Sequence, residues 1–326
     1  MRASIIVVSY NTREILAECL SSLFAEPGIE EYQVFVVDND SKDDSAAMVA
    51  ATFPTACLLD NRENIGFAAA NNQAYARSLG DYIILLNPDA TLKPGSLDRA
   101  LTFMEAHPAC GVCGGLLLNA EGERLPSARR FPNALTKLFM LSGLADRHPQ
   151  SRLFGRYGFG YFDHRTPLQV DWVPGTFAVF RRNMLTQIGM FDERYFLYYE
   201  ETDLCLRAKR NGWQVFFTPD AEIMHLEGAS SKTRDDEEFE ATGSQVLKFR
   251  MRAEALYFRK NFGVLSVILN MLLVEAGWHL LRWLVNCLPN REQAAAKRRQ
   301  SMEQVKSTLR ALCDTRMGRV SPPRPW

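Results

Sequence analysis

The first 118 residues alternate between apolar, β-rich runs and amphipathic helical patterns, and this alternation fixes the fold class. The runs fall at 5–8, 34–37, 56–59, 82–86 and 111–118, with helical patterns near 14–24, 44–53, 68–79 and 96–106 between them. Ser41 is placed to cap the second helix and Pro94 to start the fourth. Short runs free of polar residues suit strands buried on both faces, as in a parallel sheet covered by crossover helices. The expected fold is therefore α/β, with helices on both faces of a mostly parallel sheet.

In such sheets ligands bind outside the carboxyl ends of the strands. The first run is followed by Ser9-Tyr10-Asn11 and the second by Asp38-Asn39-Asp40-Ser41. The third leads into Asp60-Asn61-Arg62-Glu63-Asn64-Ile65-Gly66 and the fourth into Asn87-Pro88-Asp89. One polar strand end means little, because loops are polar in general. Four in succession bring carboxylates, amides and hydroxyls to one rim and point to a polar ligand or a metal.

Composition narrows the function classes. Lys plus Arg (38) balance Asp plus Glu (38), which leaves no electrostatic footprint for nucleic acid. The seven cysteines are scattered and mostly set in apolar runs, a pattern of a reduced cytosolic chain rather than a disulfide framework. Cys110 and Cys113 form a CxxC, but no second pair or flanking His completes a zinc site, so buried structural cysteines are expected. The apolar run after Met1-Arg2-Ala3 is too short for a signal peptide's core, and it predicts a first strand of a non-secreted protein.

Beyond residue 118 the pattern weakens. Residues 121–170 interleave Gly155, Gly158 and Gly160 with Phe154, Tyr157, Phe159, Tyr161 and Phe162. That stretch reads either as irregular packing or as a lid or acceptor wall. Residues 172–180 read as a strand, about 200–211 as a helix closed by Gly212, and 214–217 as a further strand. From 239 an amphipathic helix runs to 262, and 263–288 is apolar apart from Glu275, His279 and Arg282. The uncharged part, 263–274, is shorter than the roughly 20 residues of a membrane span. Residues 291–326 carry nine Lys or Arg against three Asp or Glu. Apolar helix and basic tail together suggest a segment lying on an anionic membrane surface; a cover for the catalytic core or a homodimer interface are the alternatives.

The successive motifs are recognisable. Ile6-Val7-Val8-Ser9-Tyr10-Asn11, Val36-Val37-Asp38-Asn39-Asp40-Ser41, Glu63-Asn64-Ile65-Gly66-Phe67-Ala68-Ala69-Ala70-Asn71-Asn72 and Leu85-Leu86-Asn87-Pro88-Asp89-Ala90 resemble those of family 2 glycosyltransferases. Gly175-Thr176, Gly189-Met190-Phe191-Asp192-Glu193, the acidic stretch from Tyr199 to Arg207 and His225-Leu226-Glu227-Gly228-Ala229-Ser230 continue the same order. The resemblance covers about residues 3–260 and is strongest to the rhamnosyltransferase-like branch. It implies a GT-A fold, with a catalytic domain over 1–238 (nucleotide-sugar half 1–118, acceptor half 119–238). A helical, partly apolar extension with a basic tail would occupy 239–326.

The resemblance also assigns roles. Asp38 resembles the carboxylate that accepts from the donor's base or ribose, and Tyr10 could stack on the base. Ser9, Asn11, Asn39, Asn64, Gly66, Asn71 and Asn87 would line the nucleotide, with Gly66 permitting a backbone shape that other residues disfavour. Asn87-Pro88-Asp89 stands where many relatives have Asp-x-Asp. Asp89, completed by His225, would ligate Mg²⁺ or Mn²⁺, and Asn87 is a weaker ligand than the usual Asp. Glu200-Glu201-Thr202-Asp203 resembles the acidic motif whose second position is the general base, here Glu201, with Asp203 as the rival base or as the group that orients Arg207. Asp171, Trp172, Gly175 and Thr176 would line the acceptor site.

The implied reaction is inverting transfer from a nucleotide-diphosphate sugar to a lipid-linked oligosaccharide of an O-antigen-like surface polysaccharide. The site of action would be the cytoplasmic face of the cell membrane, peripherally bound. dTDP-L-rhamnose is the leading donor, with UDP-GlcNAc, UDP-hexoses and GDP-mannose as alternatives. A nucleotidyltransferase is disfavoured because 9–14 lacks a Gly-rich basic loop, and a dehydrogenase because no GxGxxG follows the first run. A non-catalytic glycan-binding scaffold on the same fold stays open through Asn87 and Glu201, where the usual residues are Asp.

Overall fold

The computed structural model describes residues 1–226, 244–287 and 294–321. They form two compact units, each discontinuous in sequence. The first comprises Met1–Phe131, Asp163–Glu193 and Glu200–Glu240; the second Pro132–Phe162, Arg194–Tyr199 and Ala241–Trp326. The sequence suggests a linear division near residue 238, whereas the second unit also gathers the Gly- and aromatic-rich stretch before residue 162.

The first unit is built on a nine-stranded sheet. Its strands are β1 (Ala3–Ser9), β2 (Tyr32–Asp38), β3 (Cys57–Asp60), β4 (Tyr82–Leu86), β5 (Ala90–Leu92), β6 (Cys110–Leu118), β7 (Leu168–Gln169), β8 (Phe177–Arg181) and β9 (Gln214–His225). The order is β3-β2-β1-β4-β8-β6-β9-β5, with β7 also on β9. β3, β2, β1 and β4 pair in parallel, as do β6 and β9, while β5, β7 and β8 run against their neighbours. Every residue of β1 and β4 is buried, which is why these strands read as unbroken apolar runs rather than alternating ones.

Helices α1 (Arg13–Phe24), α2 (Ser45–Thr52), α3 (Phe67–Tyr75), α4 (Ser96–Ala106), α7 (Arg182–Ile188) and α8 (Glu200–Arg210) belong to this unit. The start of α4 is held from a distance. The carboxylate of Glu26, itself 5% exposed, accepts from the Gly95 and Leu97 amides at 2.8 and 3.1 Å, satisfying donors that every helix start leaves open. Ser41 does not cap α2 as expected. Asp43 accepts from the Ser45 amide, and the Ser41 hydroxyl accepts from the Asn11 amide instead.

Three strand assignments differ from the sequence reading. β8 begins at Phe177, not at 172, because the Pro174-Gly175 turn interrupts the run. β9 is one strand of 12 residues despite Pro219. Its register against β6 jumps between Phe217 and Glu222, so the proline, which has no N–H to donate, sits in a bulge. The short β5 has too little length to show periodicity, and its pairing with the far end of β9 creates it.

The second unit contains α5 (Ala134–Leu141), α6 (Leu144–Arg147), α9 (Ser244–Phe262), α10 (Val264–Val267), a π-helical segment (Ile268–Ala276), α11 (Gly277–Val285) and α12 (Ala294–Asp314). Residues 239–243 of the expected amphipathic helix lie outside the described residues. Val264–Val285, 22 residues, is long and apolar enough to cross a membrane, with mean hydropathy 1.7 over an 18-residue window.

Gly80 is the tightest point between α3's exit and β1. A Cβ there would lie 2.3 Å from the Ala3 carbonyl carbon and 2.4 Å from the Ser4 nitrogen, both backbone. Its amide also donates to Ser4 Oγ at 2.9 Å. Gly80→Ala is expected to destabilise the protein by about 3 kcal/mol, seen as a lower urea midpoint with an unchanged slope.

Candidate active site

The carboxyl ends of β1, β2 and β3 lie side by side, with Ser9 paired to Asp38 and Asp38 to Asp60. Asp38 is 1% exposed. Its Oδ1 accepts from the Ser41 amide at 2.8 Å, while its buried Oδ2 has no hydrogen-bond partner among the described residues. Burial raises its carboxyl above the usual range, against the pull of Ser41. An unspent acceptor at a strand end is what a ligand N–H or hydroxyl requires.

The neighbouring polar residues divide into fasteners and open groups. Asn39 donates to the Gly66 carbonyl at 3.3 Å and accepts from Asn61 at 3.0 Å. Ser9 shares a 2.8 Å hydrogen bond with Thr12, and Asn11, at φ 51°, accepts from the Lys42 amide. Asn64 accepts from the Gly66 amide, closing the turn in which Gly66 adopts φ 88° and enters α3. Asn71 donates to the Phe67 carbonyl and keeps a buried Oδ1 without a partner. Tyr10 is half-buried at the same rim.

Asp89 and His225 meet because β5 pairs with β9. Ala90 lies opposite His225, the Leu226 amide donates to the Asp89 carbonyl at 2.9 Å, and His225 Nε2 stands 3.3 Å from Asp89 Oδ1. Asp89 is 3% exposed. Asn87, at the end of β4, donates its amide to the Thr176 carbonyl, and Gly175 faces the Phe67 ring. Thus Thr176, Asn87, Asp89 and His225 continue one rim. Residues 227–230 of the last motif lie outside the described residues.

The acidic motif forms the first turn of α8, where the helix dipole favours negative charge. The two residues before it, Tyr198 and Tyr199, have φ of 72° and 68°, an uncommon and strained backbone for bulky side chains. One oxygen each of Glu200 and Glu201 is buried without a hydrogen-bond partner among the described residues. Burial pushes the Glu201 carboxyl up to about 7, although backbone amides at the helix start pull it down. Glu200 stands well above its ordinary value, from burial first and then from the adjacent Glu201 charge.

Asp203 has a different employment. It is 0% exposed, and its Oδ2 accepts from Arg207 Nε at 2.9 Å. The rest of that guanidinium donates to the carbonyls of Ile188, Gly189 and Met190. Asn72 holds the same turn from the other side through both the amide and the carbonyl of Phe191. Asp171 and Trp172 are also engaged in fastening. Asp171 pairs with Lys209 and accepts from the Phe131 amide, and the Trp172 indole donates to the Arg130 carbonyl at 2.8 Å. Cys110 and Cys113 are fully buried in β6, and burial raises the Cys113 thiol.

Comparisons with known proteins bear on the family and the fold. Residues 4–189 match the family described as glycosyl transferase family 2. An N-acetylglucosaminyl-diphospho-decaprenol L-rhamnosyltransferase of Mycobacterium tuberculosis is 28% identical over 242 residues, 70% of this chain and 76% of the relative. The rhamnosyltransferase WbbL of Escherichia coli is 26% identical over 234 residues, 68% and 82% of the two chains. Among solved structures, the mannosyltransferase PcManGT from Pyrobaculum calidifontis, in complex with GDP-Man and Mn²⁺, superposes with a TM-score of 0.56 at 15% identity. It covers 96% of this chain and 87% of that one. The S. aureus TarS structure with UDP-GlcNAc gives 0.50 at 16% identity, covering 98% and 92%. These likenesses carry the GT-A fold, and the family match spans more than half of the sequence. The chain therefore belongs to glycosyl transferase family 2.

Proposed function

We propose that the protein is an inverting, metal-dependent rhamnosyltransferase that moves L-rhamnose from dTDP-L-rhamnose onto a lipid-linked glycan of cell-surface polysaccharide synthesis. The relatives named L-rhamnosyltransferase and rhamnosyltransferase support the sugar, and the first of them supports a diphospholipid-linked acceptor. The observation that carries the catalytic reading is the half-buried Glu201 at the start of α8, with an unpartnered oxygen and a carboxyl raised to about 7.

In this reading Asp38 Oδ2 accepts from the nucleoside, and Tyr10, Asn64, Gly66 and Asn71 close around it. Glu201 takes the proton of the acceptor hydroxyl as that oxygen attacks the anomeric carbon from the face opposite the diphosphate. Glu200 lies beside it, and Asp203 acts through Arg207 to position the 188–190 turn. Asp89 and His225 supply one oxygen and one nitrogen donor 3.3 Å apart. Among the described residues no cluster of three or more His, Cys, Asp or Glu forms. That donor set fits Mg²⁺ or Mn²⁺ shared with the donor's phosphates, since such ions keep few protein ligands. When bound, the ion offsets charge on the departing diphosphate.

Peripheral membrane contact at the cytoplasmic face belongs to the same reading. Leu265, Leu273, Leu281 and Leu284 are 77%, 64%, 52% and 51% exposed, whereas Asn270 and Glu275 of the same segment are buried. A segment that is apolar outside and packed by its polar side inside the second unit suits lying in the interface rather than crossing it.

Binding and hydrolysis across dTDP-rhamnose, UDP-GlcNAc, UDP-Glc, UDP-Gal and GDP-mannose, with and without Mn²⁺, tests the donor; a metal-enhanced response to dTDP-rhamnose alone is expected. Asp89→Ala should abolish metal-dependent turnover and weaken donor binding. Glu201→Gln should keep donor binding and lower turnover by about 10² to 10⁴, and an active Glu201→Gln beside a dead Asp203→Asn would reverse the assignment.

The pH dependence follows from the raised Glu201 carboxyl. kcat/KM should climb with pH and level off above about 7, once the carboxyl is ionised. Because the folded state binds that proton more tightly than the unfolded chain, stability should fall as pH rises from about 4.5 to about 7. Thermal melts of Glu201→Gln across this window should show a smaller decline than the wild type, with the share that the raised Glu200 carboxyl contributes remaining.

A further inference from the structure

The second unit contains a cavity of about 290 Å³ that the transfer chemistry does not use. It lies among α5, α9 and the π-helical segment, and Tyr157, Tyr199, Phe258 and Met140 give it aromatic and apolar walls. Its polar lining is a charge cluster. Lys137 Nζ stands 2.7 Å from Glu254 and 2.9 Å from Glu275, and His279 Nε2 stands 3.4 Å from the other oxygen of Glu275. Burial by itself would raise the Glu275 carboxyl, but His279 and Lys137 outweigh it and hold it down at about 2. Arg250, Asn133 and Asn270 complete the polar lining.

Asn270 is the informative residue. It is 3% exposed and spends its amide nitrogen on the Ser266 carbonyl, and its Oδ1 has no hydrogen-bond partner among the described residues. A buried, unsatisfied acceptor at a cavity costs free energy unless something fills it. The backbone form has the same bearing. In an α-helix Asn270 and Glu275 would lie about 1.4 turns apart, whereas π-helical i to i+5 bonding brings them toward one face, a device often found at functional sites.

The charges select the ligand. The Lys137 ammonium is already matched by two carboxylates, and among the described residues Arg250 is the other cation on the wall. A phosphate or diphosphate would meet Glu254 and Glu275 without a surplus of positive charge. An uncharged polyol suits the same wall, since its hydroxyls can donate to Asn270 Oδ1 and the carboxylates and accept from Arg250. Its apolar ring face can rest on the tyrosines. The volume is of the order of one sugar residue. We propose that this cavity is a carbohydrate subsite that holds an uncharged sugar of the acceptor glycan. Its assignment to the acceptor rests on the transferase reading; the recognition of a sugar rests on the cavity alone.

Saturation-transfer NMR on the full-length protein tests this, with methyl N-acetylglucosaminide and methyl rhamnoside as probes, inorganic pyrophosphate as the anionic competitor, and dTDP present to occupy the nucleotide site. Transfer to at least one glycoside is expected, undiminished by pyrophosphate. It should drop at least five-fold in Asn270→Leu and in Met140→Trp, which fills the cavity, with circular dichroism and dTDP binding unchanged. If one variant fails to fold, the other decides. No transfer to either glycoside, transfer that survives a folded variant, or displacement by pyrophosphate overturns the proposal. Loss of dTDP binding in the wild type would instead strike the transferase reading and leave the sugar measurement to stand by itself.

Discussion

The pairing of three-residue β5 with the far end of β9 is the contact on which the candidate site depends. Asp89 and His225 are 136 residues apart in sequence. The register that sets Ala90 opposite His225 brings an oxygen and a nitrogen donor together. The same pairing fixes the end of the rim that begins at Ser9 and Asp38 and runs through Asn87 and Thr176. A sheet whose strands β1 and β4 are wholly buried holds that rim in place, because no strand can slide without exposing apolar surface or breaking its ladder.

Much of this was legible in the sequence, for identifiable reasons. The central residues of β1 and β2 and all of β4 are apolar, because both faces are covered, and the polar residues at their ends stand out against that background. What escaped reading depended on partners far away. β5 is created by β9, Pro219 reads as a stop unless the bulge is known, and α4 is capped by Glu26 from 70 residues upstream. Asp203 and Glu201 look equivalent as letters. Only the position of the Arg207 guanidinium separates them, since it occupies the first and leaves the second open.

The same distinction runs through the amides and carboxylates of the site. Asn39, Asn72, Asp171 and Asp203 use their polar atoms on the protein itself, while Asp38, Asn71 and Glu201 each retain an oxygen with no partner among the described residues. The first group makes the loops rigid, and the second is what rigid loops can present. Glu275 and His279, interrupting an apolar run, hint at the charge cluster of the second unit, but nothing near Lys137 in sequence marks it as their partner. That ion pair turns the polar side of an otherwise greasy helix inward.

The bulge in β9 has a consequence for which changes of length the chain can accept. Between Phe217 and Glu222 the strand advances five residues while β6 advances two, so the excess is stored at one place. Deleting a single residue there would shift all that follows by one pair and turn alternate side chains to the opposite face. His225 would leave its place beside Asp89 although no site residue had been altered. This short stretch, which contains none of the candidate site residues, is the spacer that keeps Asp89 and His225 in step.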